Sequence, residues 1–115
     1  MELPPDLQQK IRNIQGLQAQ LQSLNEQKMR IEATIKEIAT AKEFLESVSE
    51  DDPVYRNVGG LMIHTPKDNA MNDLSEREDL LNVRLKKLTM NIERAQSRFE
   101  SSRDEINESI KNRGS

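Results

Sequence analysis

The chain of 115 residues is 34% hydrophobic, 32% charged and 3% aromatic, with two Phe, one Tyr and no Trp, which leaves room for one domain but argues against a wide globular core. Its 17 basic and 20 acidic residues give a net charge of −3, so no broad field draws it to nucleic acid or an acidic membrane. With no cysteine, disulfides, thiolate zinc sites and thiol catalysis are excluded.

Residues 1–20 lack an apolar run behind a basic start, and no stretch approaches the roughly 20 apolar residues that span a bilayer. A soluble, cytoplasmic chain is expected. Leu3-Pro4-Pro5-Asp6 then predicts a helix start: the prolines resist earlier helix, Asp6 caps, and Gln9 stands at the reciprocal position of a capping box. From there a heptad series places Leu7, Ile14, Leu21, Lys28, Ile35 and Lys42 at one seam position, and Lys10, Leu17, Leu24, Ile31, Ile38 and Leu45 at the other. Nine of the twelve are apolar, which marks a narrow coiled-coil seam. Gly16 costs about 1 kcal/mol against Ala but lies off that seam and is tolerated. Glu50-Asp51-Asp52 opposes the helix dipole and Asp52 precedes a proline, so the helix is expected over residues 6–49.

Between Pro53 and Pro66 the pattern changes to the two-residue period of strands. Val54 to Val58 and Leu61 to Thr65 are β-prone runs around Gly59-Gly60, a pair suited to the positive φ angles of a tight primed turn. This predicts a β-hairpin over residues 54–65. Counting outward, Val58 faces Leu61, Arg56 faces Ile63 and Val54 faces Thr65, while Asn57 faces Met62 and Tyr55 faces His64. Both faces carry apolar groups and both edges are open, so strands from other chains are expected to complete it. Val54, Tyr55, Val58, Gly59, Gly60, Leu61, Met62 and Ile63 form this candidate oligomerisation element.

Thr65 as cap, Pro66 at the first helical position and Asp68 in the first turn predict a second helix over residues 66–112. Its seam reads Met71, Glu78, Leu85, Ile92, Phe99 and Ile106, alternating with Leu74, Leu81, Leu88, Ala95, Ser102 and Ser109, again nine apolar of twelve. Two helices of roughly 60 to 65 Å at 1.5 Å per residue bury such seams only by folding back antiparallel. The expected fold is therefore mainly α: a single domain over residues 1–115 built as a two-helix coiled-coil hairpin with one β-hairpin between the helices. In that register Lys42 falls within about a turn of Glu78, and the two charges form a candidate register pair.

Enzyme chemistry finds no support. His64 has no partner histidine or cysteine for a metal or nucleophile site, and packs best beside Tyr55. Asp73, Glu76, Glu78 and Asp79 scatter around a helix rather than converge. Arg84, Lys86, Lys87, Arg94 and Arg98 are interleaved with Glu93 and lack aromatics for base stacking. Gly59-Gly60 leads into a strand without the helix N-terminus that phosphate needs. Packing is expected for Met62 and Met71, whereas Met29 and Met90 lie off the seam. No cofactor, metal or catalytic residue is expected.

The order of elements, with Val54-Tyr55-Arg56-Asn57-Val58-Gly59-Gly60-Leu61-Met62-Ile63 as its best local marker, resembles a prefoldin subunit of the β type, and the resemblance covers essentially the whole chain. Subunits of the α type carry two hairpins, whereas one strand-period stretch stands here. The resemblance implies a hexamer of two α-type and four β-type subunits, an ATP-independent holdase whose hairpins form β-barrels. It also implies that unfolded proteins are held and passed to a group II chaperonin.

Lys10, Ser102 and Ser109 weaken the seam near the termini, where the helix pair is expected to fray. Leu3, Ile11 and Ile110 lie outside the seam there, and Leu7, Ile14, Phe99 and Ile106 gain only partial cover. These seven are the candidate client-binding residues at the coiled-coil tip. The alternative is a structural coiled-coil adaptor that oligomerises through the hairpin without holding clients.

Overall fold

A computed structural model describes residues 3–113 of the chain. It runs as α1 (Pro5–Ser47), β1 (Tyr55–Val58), β2 (Leu61–His64) and α2 (Lys67–Arg113), two long helices with a two-stranded antiparallel hairpin between them. The chain divides into two compact units. The hairpin unit is Arg30–Lys86; the terminal unit joins the chain up to Met29 with the chain from Lys87 onward.

All twelve expected seam positions of each helix are buried or half-buried, and most residues between them are exposed. Leu7, Leu21, Ile38, Leu45, Leu88, Ala95 and Ile106 are the buried apolar side chains, and no polar side chain is buried among the described residues. Each fully covered Leu or Ile is worth about 1.5 to 3 kcal/mol.

The ends of the elements differ from expectation by one or two residues, for identifiable reasons. Pro4 carbonyl accepts the Gln8 N–H at 3.0 Å, so α1 starts at Pro5, one residue before the expected start, and Asp6 lies inside its first turn. Gln9 does not close a capping box: its side chain donates to Asn13 Oδ1 at 3.0 Å and accepts from Arg12 at 2.8 Å. The far end closes at Ser47, where the hydroxyl donates to Phe44 carbonyl at 2.7 Å. For α2, Pro66 carbonyl accepts the Ala70 N–H at 3.0 Å, and Thr65 donates its hydroxyl to Ile63 carbonyl at 3.2 Å. The helix therefore begins at Lys67, after Pro66 rather than on it.

In the terminal unit the cover of two seam residues differs from expectation. Both helices persist, α2 to Arg113, and Leu7 at 2% and Ile106 at 9% exposure are core residues rather than partly covered ones. Ala95, at 3% exposure, and the half-buried Ser102 and Ser109 hold seam positions on the same stretch of α2.

Candidate functional site

The hairpin is set by its turn. Gly59 and Gly60 have φ of 58° and 88°, the two positive angles of a type I′ turn, whose twist matches the flanking strands. The ladder pairs Val58 with Leu61, Asn57 with Met62, Arg56 with Ile63 and Tyr55 with His64, the expected register. It is extended by Thr65 N–H donating to Val54 carbonyl at 2.8 Å, and Asn57 Oδ1 accepts the Gly60 N–H at 3.1 Å. Tyr55 and His64 meet edge to face with centroids 5.8 Å apart, which accounts for the lone histidine.

Every residue of both strands is exposed. Leu61 stands at 69% and Met62 at 64% exposure, with Val58, Ile63 and Tyr55 also open. Met62 is thus not packed within the chain as expected, because a two-stranded sheet has no second layer to receive it. A sheet of this size is marginal in water, and its outer edges offer unpaired backbone groups.

Two long-range links hold the hairpin on the helices. Arg56 Nη1 donates to Asp73 Oδ2 at 2.9 Å, joining β1 to α2. Lys67 Nζ, at the first position of α2, donates to the carbonyls of Glu46 at 3.2 Å and Val48 at 2.7 Å. The last turn of α1 contains no basic residue of its own, so Lys67 supplies both hydrogen bonds for the carbonyls left over at the helix end and the positive charge its dipole favours. Neither link was expected. The signal available for Lys67 was an α1 terminus followed by Glu50-Asp51-Asp52, which needs a cation from elsewhere.

Beneath β1 an open groove of about 790 Å³ is lined by Phe44, Leu45, Val48, Val54, Tyr55 and Leu74, among others. Phe44, 69% exposed, stands on its rim and was missed because it lies off the heptad seam. The proposed register pair is present: Lys42 Nζ and Glu78 Oε1 are 3.5 Å apart, each side chain about a quarter exposed.

In the terminal unit the seven candidate client residues separate into three groups. Leu3 and Ile110 are exposed, Ile11, Ile14 and Phe99 are half-buried, and Leu7 and Ile106 are buried. Among the described residues no group of His, Asp and Glu converges as a metal site, and no helix is long and apolar enough to cross a membrane.

The chain matches the prefoldin subunit family over residues 8–113. It is 42% identical over 109 residues to prefoldin subunit beta of Methanothrix thermoacetophila, covering 95% of this chain and 91% of that relative. Against prefoldin subunit beta of Methanosarcina acetivorans it is 40% identical over 109 residues, covering 95% and 93%. The crystal structure of the prefoldin beta subunit from Thermococcus strain KS-1 superposes with a TM-score of 0.86 at 29% identity, over 94% of this chain and 95% of that one.

Proposed function

The chain belongs to the prefoldin family as a β-type subunit, a family of chaperone subunits rather than enzymes, and from that premise we propose that it is an ATP-independent holdase subunit. In this reading it joins α-type and further β-type subunits in a cytoplasmic hexamer of two α and four β chains, holds unfolded proteins, and passes them to a group II chaperonin. The observation that carries the assembly step is the hairpin: four exposed residues on each strand, open edges, and apolar side chains on both faces. Such an element reaches a low free energy only when other strands cover it.

Client holding is assigned to the terminal unit. Leu3 and Ile110 make the first contacts, with Ile11, Ile14 and Phe99 exposing more surface as a client settles. Leu7 and Ile106 contribute only where the helix pair opens. Each such burial is worth about 1.5 to 3 kcal/mol, weak enough to release, and several subunits acting together raise the effective affinity.

The burial of Leu7 and Ile106 favours a second reading, an adaptor with closed ends that oligomerises without holding clients. One experiment separates the two. A denatured, aggregation-prone protein is diluted into buffer containing the assembled complex without ATP, and light scattering is followed. Suppressed scattering supports the holdase; scattering equal to buffer alone supports the adaptor.

A further inference from the structure

The terminal unit carries a second surface that the apolar seam does not explain. An open groove of about 680 Å³ is lined by Arg12, Gly16, Leu17, Ser97, Arg98 and Ser102, among others. Two guanidinium groups border it, hydroxyls and amides fill its polar lining, and no carboxylate belongs to it. That is unusual in a chain with more acidic than basic residues. Neither Arg12 nor Arg98 makes an ion pair among the described residues; Arg12 gives one hydrogen bond to Gln9, along its own helix. The floor is opened by Gly16, where a Cβ would meet no atom within 4 Å. A glycine in the interior of an exposed helix is a cost in helix stability with no positive φ to justify it, and here it leaves room between the two arginines for an incoming chain.

We propose that this groove docks an acidic, extended stretch of polypeptide, its carboxylates pairing with Arg12 and Arg98 and its backbone meeting the serine hydroxyls and the Asn13 and Gln20 amides. Charge complementarity selects the occupant: guanidinium forks match carboxylates in geometry as well as sign. A basic stretch is repelled by the same two groups. The inference deepens the holdase reading, on which it rests for its biological meaning, by giving the client grip a preference in charge.

The test uses the full chain in its oligomer and three fluorescently labelled decapeptides of one Gly, Ser and Leu framework, carrying three Glu, three Gln or three Lys. Anisotropy at low salt is expected to rank Glu above Gln above Lys, with about a three- to ten-fold step between the first two, as suits two solvent-exposed ion pairs. Near 1 M salt, where screening acts within about 3 Å, the step should vanish. Arg12→Gln with Arg98→Gln should bring the Glu peptide to the affinity of the Gln peptide, while the lysine replacements Arg12→Lys and Arg98→Lys keep part of the preference. Gly16→Glu, which improves helix propensity and so does not threaten folding, should shrink the preference for the Glu peptide, because its carboxylate answers one of the two guanidiniums. Equal affinities for the three peptides, or a preference that survives Arg12→Gln with Arg98→Gln, would overturn the proposal. Its failure is separable from failure of the holdase: the scattering assay with an uncharged client does not depend on Arg12 or Arg98.

Discussion

The two units are built from the same heptads and held in different ways. In the hairpin unit, named polar links cross between elements: Lys67 to the carbonyls of Glu46 and Val48 at the end of α1, Arg56 to Asp73, and Lys42 to Glu78. In the terminal unit, Gln9 to Asn13, Gln27 to Ser23 and Gln96 to Glu100 run along single helices, and five of the buried apolar side chains lie there. Directional bonds fix a geometry; apolar area holds segments together without specifying their angle. The contrast suits the proposed roles, an assembly element that has to present strands in one orientation and a client-holding element that has to adapt.

The largest effect is expected where the hairpin is asked to be an interface. Val58→Asp with Ile63→Asp places carboxylates in the surface that other chains would cover, at a cost of several kcal/mol when no partner is supplied. Sedimentation should show the oligomer dissociated, while helical circular dichroism stays largely intact because both residues are exposed within the chain. An oligomer that persists in this variant would place assembly elsewhere.

Next comes a pair of changes within one helix end. Ile106→Ala removes a buried side chain and should cost about 2 to 4 kcal/mol, read as a lower midpoint in urea. Ile110→Ala, one turn on and exposed, should leave stability within about 0.5 kcal/mol yet reduce suppression of client aggregation. Equal effects of the two on stability would erase the distinction between covered core and open grip.

Most of this architecture was legible in the sequence, and the exceptions share a cause. The heptads placed every seam residue, and the Gly59-Gly60 pair fixed the hairpin register, because both patterns are local and repeat. The links of Lys67 and Arg56 carry no such signal, because neither residue is one of the heptad seam residues that would align it with its partner. The full cover of Leu7 and Ile106 is not legible from the heptads, which show only polar Ser102 and Ser109 at nearby seam positions. Phe44 was overlooked because an off-seam aromatic has no periodic signal, although it rims the groove under β1.

Lys67 gives the next test of the fixed geometry. Lys67→Met keeps the length of the side chain and removes the cation, leaving the Glu46 and Val48 carbonyls to water. About 1 kcal/mol should be lost, less than a buried charged hydrogen bond because the site is partly open to solvent. Hydrogen exchange should quicken at the end of α1, with the terminal unit unchanged. Lys67→Arg, which retains the charge, should recover much of the protection.

The smallest effect concerns Lys42 and Glu78, and it decides whether the polar links of the hairpin unit serve stability or alignment. The pair sits at seam positions, about a quarter exposed, with a separation of 3.5 Å that is long for a charged hydrogen bond. Partial burial has stripped some water from both groups, and a long contact returns only part of that loss. Lys42→Leu with Glu78→Leu should therefore raise the melting temperature by a few degrees, as about 1 kcal/mol does in a domain of this size. Either change alone leaves the opposite charge in the seam unanswered, so each should gain less or cause a loss. The coupling from the full double-mutant cycle should be about 0.5 to 1 kcal/mol. Strict additivity would mean that the two charges do not sense each other. A stabilised double variant that also forms misaligned oligomers by native mass would show the pair trading stability for register.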